Sequence, residues 1–334
     1  MKRQTNLISP EIKREMRTIE FRKEEFDICF HFYQDDKRQY QYTTTELDEL
    51  NYTQLLNKYR SKHHLPFPEE IKAIREKYQL PASKMSDILG FGANSYRQYE
   101  AGEVPSQSNG KLIQMAEDPK KFKDLILLCE SIDEDARYKI LNRVNRFMEK
   151  EGDGLQWINV DDYFADHIRP SELTGYRKPN MERFAHLIIR FAEKLEPWKT
   201  QLNKLLFYAD FLHYKRHAVS ITGCRYTAIQ MGPVPKRFET VFDELATKDF
   251  FDVVYTQFPG GNSGEQFKKR GDHPFNSELF TEQELETIEY VIGTLGKLKR
   301  PALVETSHKE KGWIENQKTK GLINYEFAFE LKAL

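Results

Sequence analysis

Phe67, Ile71, Ile74 and Tyr78 stand at the i, i+4, i+7 and i+11 positions that line one face of an α-helix. Four more short helical patterns follow before Glu130, making five in all. Pro81 opens the second, which carries Met85, Ile88 and Leu89 and is broken by Gly90 and Gly92. The third runs from near Asn94 to Gly102, and the fourth starts after Ser106 and aligns Leu112, Ile113, Met115 and Ala116. The fifth has Asp118 as N-cap and Pro119 at its first position, then Phe122, Leu125, Ile126 and Cys129. Ser131-Ile-Asp-Glu134 has the form of a capping box before a longer amphipathic helix bearing Ile140, Leu141, Val144, Phe147 and Met148.

Both flanks read differently. The aromatic-rich run from Phe26 to Thr44 is interrupted by Gln34-Asp-Asp-Lys37, the pattern of a β-hairpin, and a helix with Leu47, Leu50, Leu55 and Tyr59 follows it. Beyond Met181 two strong helices are predicted, one lined by Phe184, Leu187, Ile188, Phe191 and Leu195, the other by Leu202, Leu205, Leu206, Ala209 and Leu212. A strand over Cys224–Gln230, a stiff turn at Met231–Pro235 and a helix with Phe238, Val241, Phe242 and Leu245 come next. The stretches 250–257 and 265–270 flank a Gly-rich loop as a hairpin would, and Thr281–Glu284 caps a helix bearing Leu285, Ile288, Val291, Ile292 and Leu295. The expected class is α+β and mainly α. Its parts are a hairpin-and-helix module at 1–65, a helical domain at 66–150, a connection at 151–180 and a mostly helical domain with a small antiparallel sheet at 181–334. The connection is rich in Gly and Pro but carries Trp157, Tyr163 and Phe164, which argues that it docks.

Composition narrows the function classes without naming one. A net charge of −1 across 334 residues gives no global signal for nucleic acid or membrane, so DNA contact would need a local patch or a dimer. The first residues are basically biased, with Lys2, Arg3, Lys13, Arg14, Arg17, Arg22 and Lys23, which reads as a solvated tail. Three dispersed cysteines, Cys29, Cys129 and Cys224, fit a reducing cytoplasm, and neither a signal peptide nor a membrane span is evident.

Candidate chemistry concentrates at Gly90–Pro105. A phosphate-cradling glycine loop would need a preceding strand and a third glycine; a helix precedes, and Ser95 stands in the third place. A helix, a glycine turn and a second helix with a polar N-terminal turn instead fit a DNA reader, with Asn94, Ser95, Tyr96, Arg97 and Gln98 as contact residues. Asn94 is equally suited to N-cap that helix, and Tyr96 and Tyr99 divide between core packing and phosphate contact. Catalytic patterns are sparse. His213 and His217 share a helical face near Asp210, the only metal-hydrolase option, but lack an HExxH glutamate; Ser307, His308 and Glu310 are too close in sequence for a triad. No catalytic residue, metal or cofactor is expected.

Two family resemblances extend this reading. Leu80–Ser106 resembles the Xre-like helix-turn-helix of the MqsA type of antitoxin, in the order of its glycine turn, Asn94, aromatic residue and Tyr99-Glu-Ala-Gly102 ending. The resemblance implies a five-helix operator-binding domain in which Asn94 contacts a base. The family's contacting Arg falls on Gln98, beside Arg97, and Ala82 replaces a phosphate-binding Gln. The family's cysteine-held zinc module has no counterpart beyond Cys29, so a zinc-less N-terminal module is expected. Lys204-Leu-Leu-Phe-Tyr-Ala-Asp210, Gly232-Pro-Val-Pro235 and Ser307–Trp313 look like the SocA-type antitoxin, or Panacea, domain over about Met181–Leu334. That resemblance implies a cognate toxin partner, usually from the neighbouring gene, neutralised by direct binding or delivered to a protease. Tyr208, Tyr226, Met231, Gly232, Pro233, Val234 and Trp313 then become candidate toxin contacts, since a pre-organised turn and adaptable aromatic or Met side chains suit binding. The expected whole is a non-enzymatic, homodimeric antitoxin that represses its own promoter; a regulator, protease adaptor or phage-defence sensor is the alternative.

Overall fold

In the structure, a computed structural model, residues 11–35, 40–151, 169–258 and 263–334 are described. Lys2, Arg3, the turn residues Asp36 and Lys37, the loop residues 259–262, and Trp157, Tyr163 and Phe164 of the connection lie outside them. The fold is α+β, mainly helical with three small antiparallel sheets among the described residues. It divides into two compact units: Met1–Tyr59 with Ser171–Tyr176 and Glu182–Leu334, and Arg60–Pro170 with Arg177–Met181.

The first unit begins with a sheet of order β1-β2-β3: β1 (Lys13–Phe21), β2 (Glu24–Asp35) and β3 (Tyr40–Tyr42). Much of the expected basic tail is therefore strand. β1 pairs with β2 from Lys13↔Phe32 to Phe21↔Glu24 around a turn at Arg22 and Lys23. Both turn residues are left-handed, at φ 52° and 66°, a geometry that suits the strand twist but usually announces itself through Gly or Asn. β1 is a largely exposed edge strand whose half-buried face is Arg17, Ile19 and Phe21, so its apolar alternation is only two residues long. The expected hairpin is β2–β3, with Tyr33 opposite Tyr42. Helix α1 (Thr45–His63) covers β2 with Leu47, Leu50, Leu55 and Tyr59, all buried. It also supplies what the short β3 cannot. Asn51 exchanges two amide hydrogen bonds with the main chain of His31 (2.8 and 2.9 Å), and Gln54 does the same at Cys29 (3.1 and 2.9 Å), completing the ladder with side chains.

The second unit holds α2 (Pro68–Lys77), α3 (Ala82–Leu89), α4 (Ser95–Glu100), α5 (Gln107–Met115), α6 (Pro119–Leu128) and α7 (Glu134–Glu151). Ile71, Ile74, Tyr78, Met85, Ile88, Leu89, Ile113, Phe122, Ile126 and Val144 form one core. Ser106 and Asp118 cap α5 and α6 as their positions predict. At α7 the cap lies two residues later than the Ser131 pattern suggests: Asp133 accepts the Ala136 N–H at 2.7 Å, while Ser131 contacts Cys129 Sγ at 3.2 Å. An Asp at the residue just before the helix outcompetes a more distant Ser for the free N–H groups.

The first unit resumes with α8 (Met181–Leu195), α9 (Lys199–His217), β4 (Tyr226–Ile229), β5 (Gly232–Pro235), α10 (Phe238–Thr247), β6 (Phe251–Gln257), β7 (Ser263–Lys269), α11 (Glu282–Leu295), α12 (Arg300–His308), α13 (Lys311–Asn316), β8 (Leu322–Ile323) and a 3-10 helix at Tyr325–Glu330. Every residue of α9 from Leu202 to Tyr214 is buried, so the unit is built around this helix. β6 and β7 form the expected hairpin. Gly232–Pro235, expected as a turn, is an edge strand antiparallel to β4. Lys236 N–H donates to Arg225 C=O at 2.7 Å, so Gly232 and Val234 share the paired side. Pro233 and Pro235 consequently face the open edge, the one place a sheet tolerates residues without N–H. Among the described residues no helix is long and apolar enough to cross a membrane.

Candidate functional site

A helix buried on all sides must find internal partners for its polar groups, and α9 buries Asn203, Lys204, Asp210 and His213. Asp210 accepts four hydrogen bonds: the N–H groups of Ile221 and Thr222 at 2.8 Å each, the Thr222 hydroxyl at 2.5 Å and the Tyr226 hydroxyl at 2.8 Å. Burial raises its carboxyl pKa, and those donors pull it back down. The carboxylate thereby pins the 220–226 loop and the start of β4 to α9. It is not paired with His213. Thr287 donates its hydroxyl to the Gln283 carbonyl at 3.0 Å, so His213 Nδ1 at 3.2 Å is left to donate to Thr287. His213 and His217 lie with ring centroids 4.5 Å apart. Among the described residues no group of three His, Cys, Asp or Glu is placed to hold a metal.

Lys204 is fully buried, and its Nζ donates to the Pro233 carbonyl on the open edge of β5 at 2.9 Å. Gly232, at φ +101°, makes this approach possible: a Cβ there would stand 2.7 Å from Nζ and 2.6 Å from Ser307 Oγ. Ser307 donates to the Val304 carbonyl within its own helix at 2.9 Å, and His308 stacks flat on Trp313 with centroids 3.9 Å apart. Ser307, His308 and Glu310 thus point to separate partners rather than forming a relay. Burial without a charged neighbour pulls the Lys204 amine down from 10.5 to about 7. The unfolded chain then holds more protons than the folded one between about pH 7 and 10.5, so the contribution of Lys204 makes stability rise with pH across that window. We expect the unfolding free energy of the natural protein, read from urea titrations, to climb relative to Lys204→Met by up to about 1.4 kcal/mol per pH unit there. Parallel titrations of the two proteins would contradict the assignment.

The proposed toxin contacts come together around this network, mostly as interior residues. Tyr208 donates to Glu310 at 3.0 Å, Tyr226 to Asp210, and Trp313 Nε1 to the Ile229 carbonyl at 2.8 Å. Gly232, Pro233, Val234, Tyr208, Tyr226 and Trp313 are buried, so the aromatic contact area expected of them is spent on the core. Met231, 38% exposed at the β4–β5 turn, is the member that reaches the surface, and Ile314, 45% exposed beside Trp313, was not singled out by the sequence.

The five residues proposed for DNA lie at the start of α4, and they separate by burial. α3 ends at Gly90 in the left-handed region at φ +69°, and the chain re-enters a helix at Ser95. Asn94, Arg97 and Gln98 are exposed, and Ser95 is half-buried. Asn94 makes no side-chain cap bond, so its amide does not serve the N-capping role for which its position suits it. Tyr96 is a core residue: it is wholly buried, its hydroxyl donates to Ile71 C=O at 2.7 Å, and it cannot reach a base. Tyr99 is also buried and accepts from Asn109 at 2.8 Å. Helical spacing separates the two sets, since Tyr96 and Tyr99 fall on the inward face.

Residues 202–314 match the antitoxin SocA-like, Panacea domain family. The match runs from the start of the buried part of α9 to α13. It takes in Lys204, Asp210, the β4–β5 hairpin and Trp313, about a third of the chain. No curated protein and no solved structure matches the chain.

Proposed function

We propose that the chain is an antitoxin that neutralises a cognate toxin by direct binding through its Panacea domain and represses its own promoter through the second unit. The observation that carries the reading is the family match over residues 202–314, whose description is an antitoxin domain. Its partner surface lies where exposed apolar side chains meet a rigid frame, at Met231 and Ile314, fixed by Trp313, Gly232 and the Lys204–Pro233 bond. Binding rather than catalysis is the activity, since Asp210, Lys204 and His213 are each committed to structural hydrogen bonds. In the second unit the exposed trio Asn94, Arg97 and Gln98 at a helix start supports operator recognition in the major groove. A homodimer in the cytoplasm would set two such helices on two half-sites, offsetting the chain's near-neutral charge.

Growth rescue tests this. Cells expressing the toxic product of the neighbouring gene should grow when the full-length chain is supplied in trans, and a Met231→Glu, Ile314→Glu variant should lose most of that protection while folding normally. Failure of the natural chain to protect against any adjacent gene product would contradict the reading.

A further inference from the structure

An unpaired strand edge is a template for another chain, and native proteins blunt it with charge or proline. β1 carries Lys13, Arg14, Glu15, Arg17 and Glu20, and β5 turns Pro233 and Pro235 to its open side. β6, Phe251-Asp-Val-Val-Tyr-Thr-Gln257, has neither proline nor glycine and a single charged residue. That residue, Asp252, is itself paired with Arg270 at 3.3 Å. Which main-chain atoms of β6 lie on its open side follows from β7. The Phe267 N–H donates to the Pro197 carbonyl at 2.9 Å, away from β6, so its neighbours Gln266 and Lys268 turn their main chain toward β6. Their partners Val254 and Asp252 therefore complete the ladder, and the N–H and C=O groups of Val253 and Tyr255 point outward. β6 pairs only with β7 among the described residues, and Val254 and Tyr255 are 39% and 70% exposed.

We propose that β6 pairs antiparallel with β6 of a second copy of this chain, about a twofold axis through Val254, joining the two hairpins into one four-stranded sheet. The strand's own sequence argues for a second copy as the occupant. Ladder bonds link outward-facing residues, and an axis at Val254, the middle residue, sets Val253 opposite Tyr255 of the second copy so that the whole strand pairs. A β-branched side chain then meets an aromatic ring twice, Asp252 meets the Thr256 hydroxyl twice, and no like charges oppose each other. An axis at Val253 would instead set Asp252 against Val254 and leave the last two residues unpaired. The contact is isologous, the form that closes a dimer rather than growing a fibre. The inference rests on the homodimer invoked above for operator binding and gives it a surface.

Sedimentation equilibrium on the full-length chain across the micromolar range tests this, and the natural chain should be a dimer. Val253→Pro removes an outward N–H from each copy and leaves the β6–β7 ladder intact. It should weaken association at least about tenfold with an unchanged near-UV circular dichroism spectrum. If proline disturbs folding, Val254→Lys and Val254→Glu serve. Each sets like charges across the axis and should be monomeric alone, and an equimolar mixture of the two should recover the dimer. Val254→Cys should form an intermolecular disulfide under mild oxidation, because residues facing each other at such a pair stand about 4.5 Å apart between Cα atoms. Thr256→Cys, about 13 Å from its counterpart in the same register, should not. A dimer that survives Val253→Pro, Val254→Lys and Val254→Glu and gives no Val254→Cys cross-link overturns pairing through β6 and leaves the homodimer standing. A monomeric natural chain overturns both, and growth rescue still tests neutralisation. Loss of toxin binding in Val253→Pro at unchanged dimer mass would assign the edge to the toxin and overturn self-pairing.

Discussion

Asp210→Ala should cost the first unit more than about 4 kcal/mol, because four buried donors lose their common acceptor and each stranded donor is worth about 1–3 kcal/mol. Native domains are stable by only about 5–15 kcal/mol, so the variant should be largely unfolded at 37 °C. Asp210→Asn keeps the shape but turns one acceptor into a donor facing Thr222 and Tyr226, and should fall between. Near-UV circular dichroism during urea titration reads the packing of Tyr226, Tyr325 and Phe211, whose rings surround this point. A loss below about 1 kcal/mol, the effect of an ordinary single hydrogen bond, would show that the loop is held by something else. The expectation also separates two uses of a carboxylate. A metal ligand or general base would be removable with little loss of fold.

Asn94→Ala with Arg97→Ala should weaken promoter binding at least about a hundredfold, since each bidentate base contact contributes about 1–3 kcal/mol. Stability should change by less than about 0.5 kcal/mol, as expected for exposed side chains outside the core. Toxin neutralisation should be untouched. Tyr96→Phe is the complementary control: it removes a buried hydrogen bond to Ile71, so it should lower stability without changing base preference. Electrophoretic shifts with the promoter fragment, at two salt concentrations, distinguish base contact from phosphate contact. Unchanged affinity in the double variant would remove α4 from the reading.

The sequence exposed some of this architecture and concealed the rest for definite reasons. Helices with a 3.6-residue apolar repeat, such as α2 and α6, were legible, and α6 together with its cap, because spacing and Asp118-Pro119 speak for themselves. β1 was not, since an exposed edge strand with only Ile19 and Phe21 alternating on its inner face, closed by a turn of two left-handed basic residues, offers a short apolar pattern and no glycine. Gly232–Pro235 was legible as stiff but not as a strand, because whether proline breaks a sheet depends on which side of the strand is paired. The sequence did not say which residues of the candidate site face inward. Lys204, Asp210, Tyr208 and Trp313 each hold a separate hydrogen bond, a commitment that the pattern of residue types does not announce. Burial does, and it is why the proposed partner surface is drawn at the exposed Met231 and Ile314. Lys215 and Glu310 act on main-chain atoms more than a dozen residues away, a relation that leaves no trace in local spacing.

The central claim is that the Panacea domain binds a toxin directly, and size-exclusion chromatography with light scattering on the full-length chain mixed with the neighbouring gene's product tests it most directly. The account predicts a single species containing both proteins at micromolar concentration, lost with Met231→Glu and Ile314→Glu and retained with Asn94→Ala and Arg97→Ala. Two separately eluting proteins, each at its own mass, would contradict it.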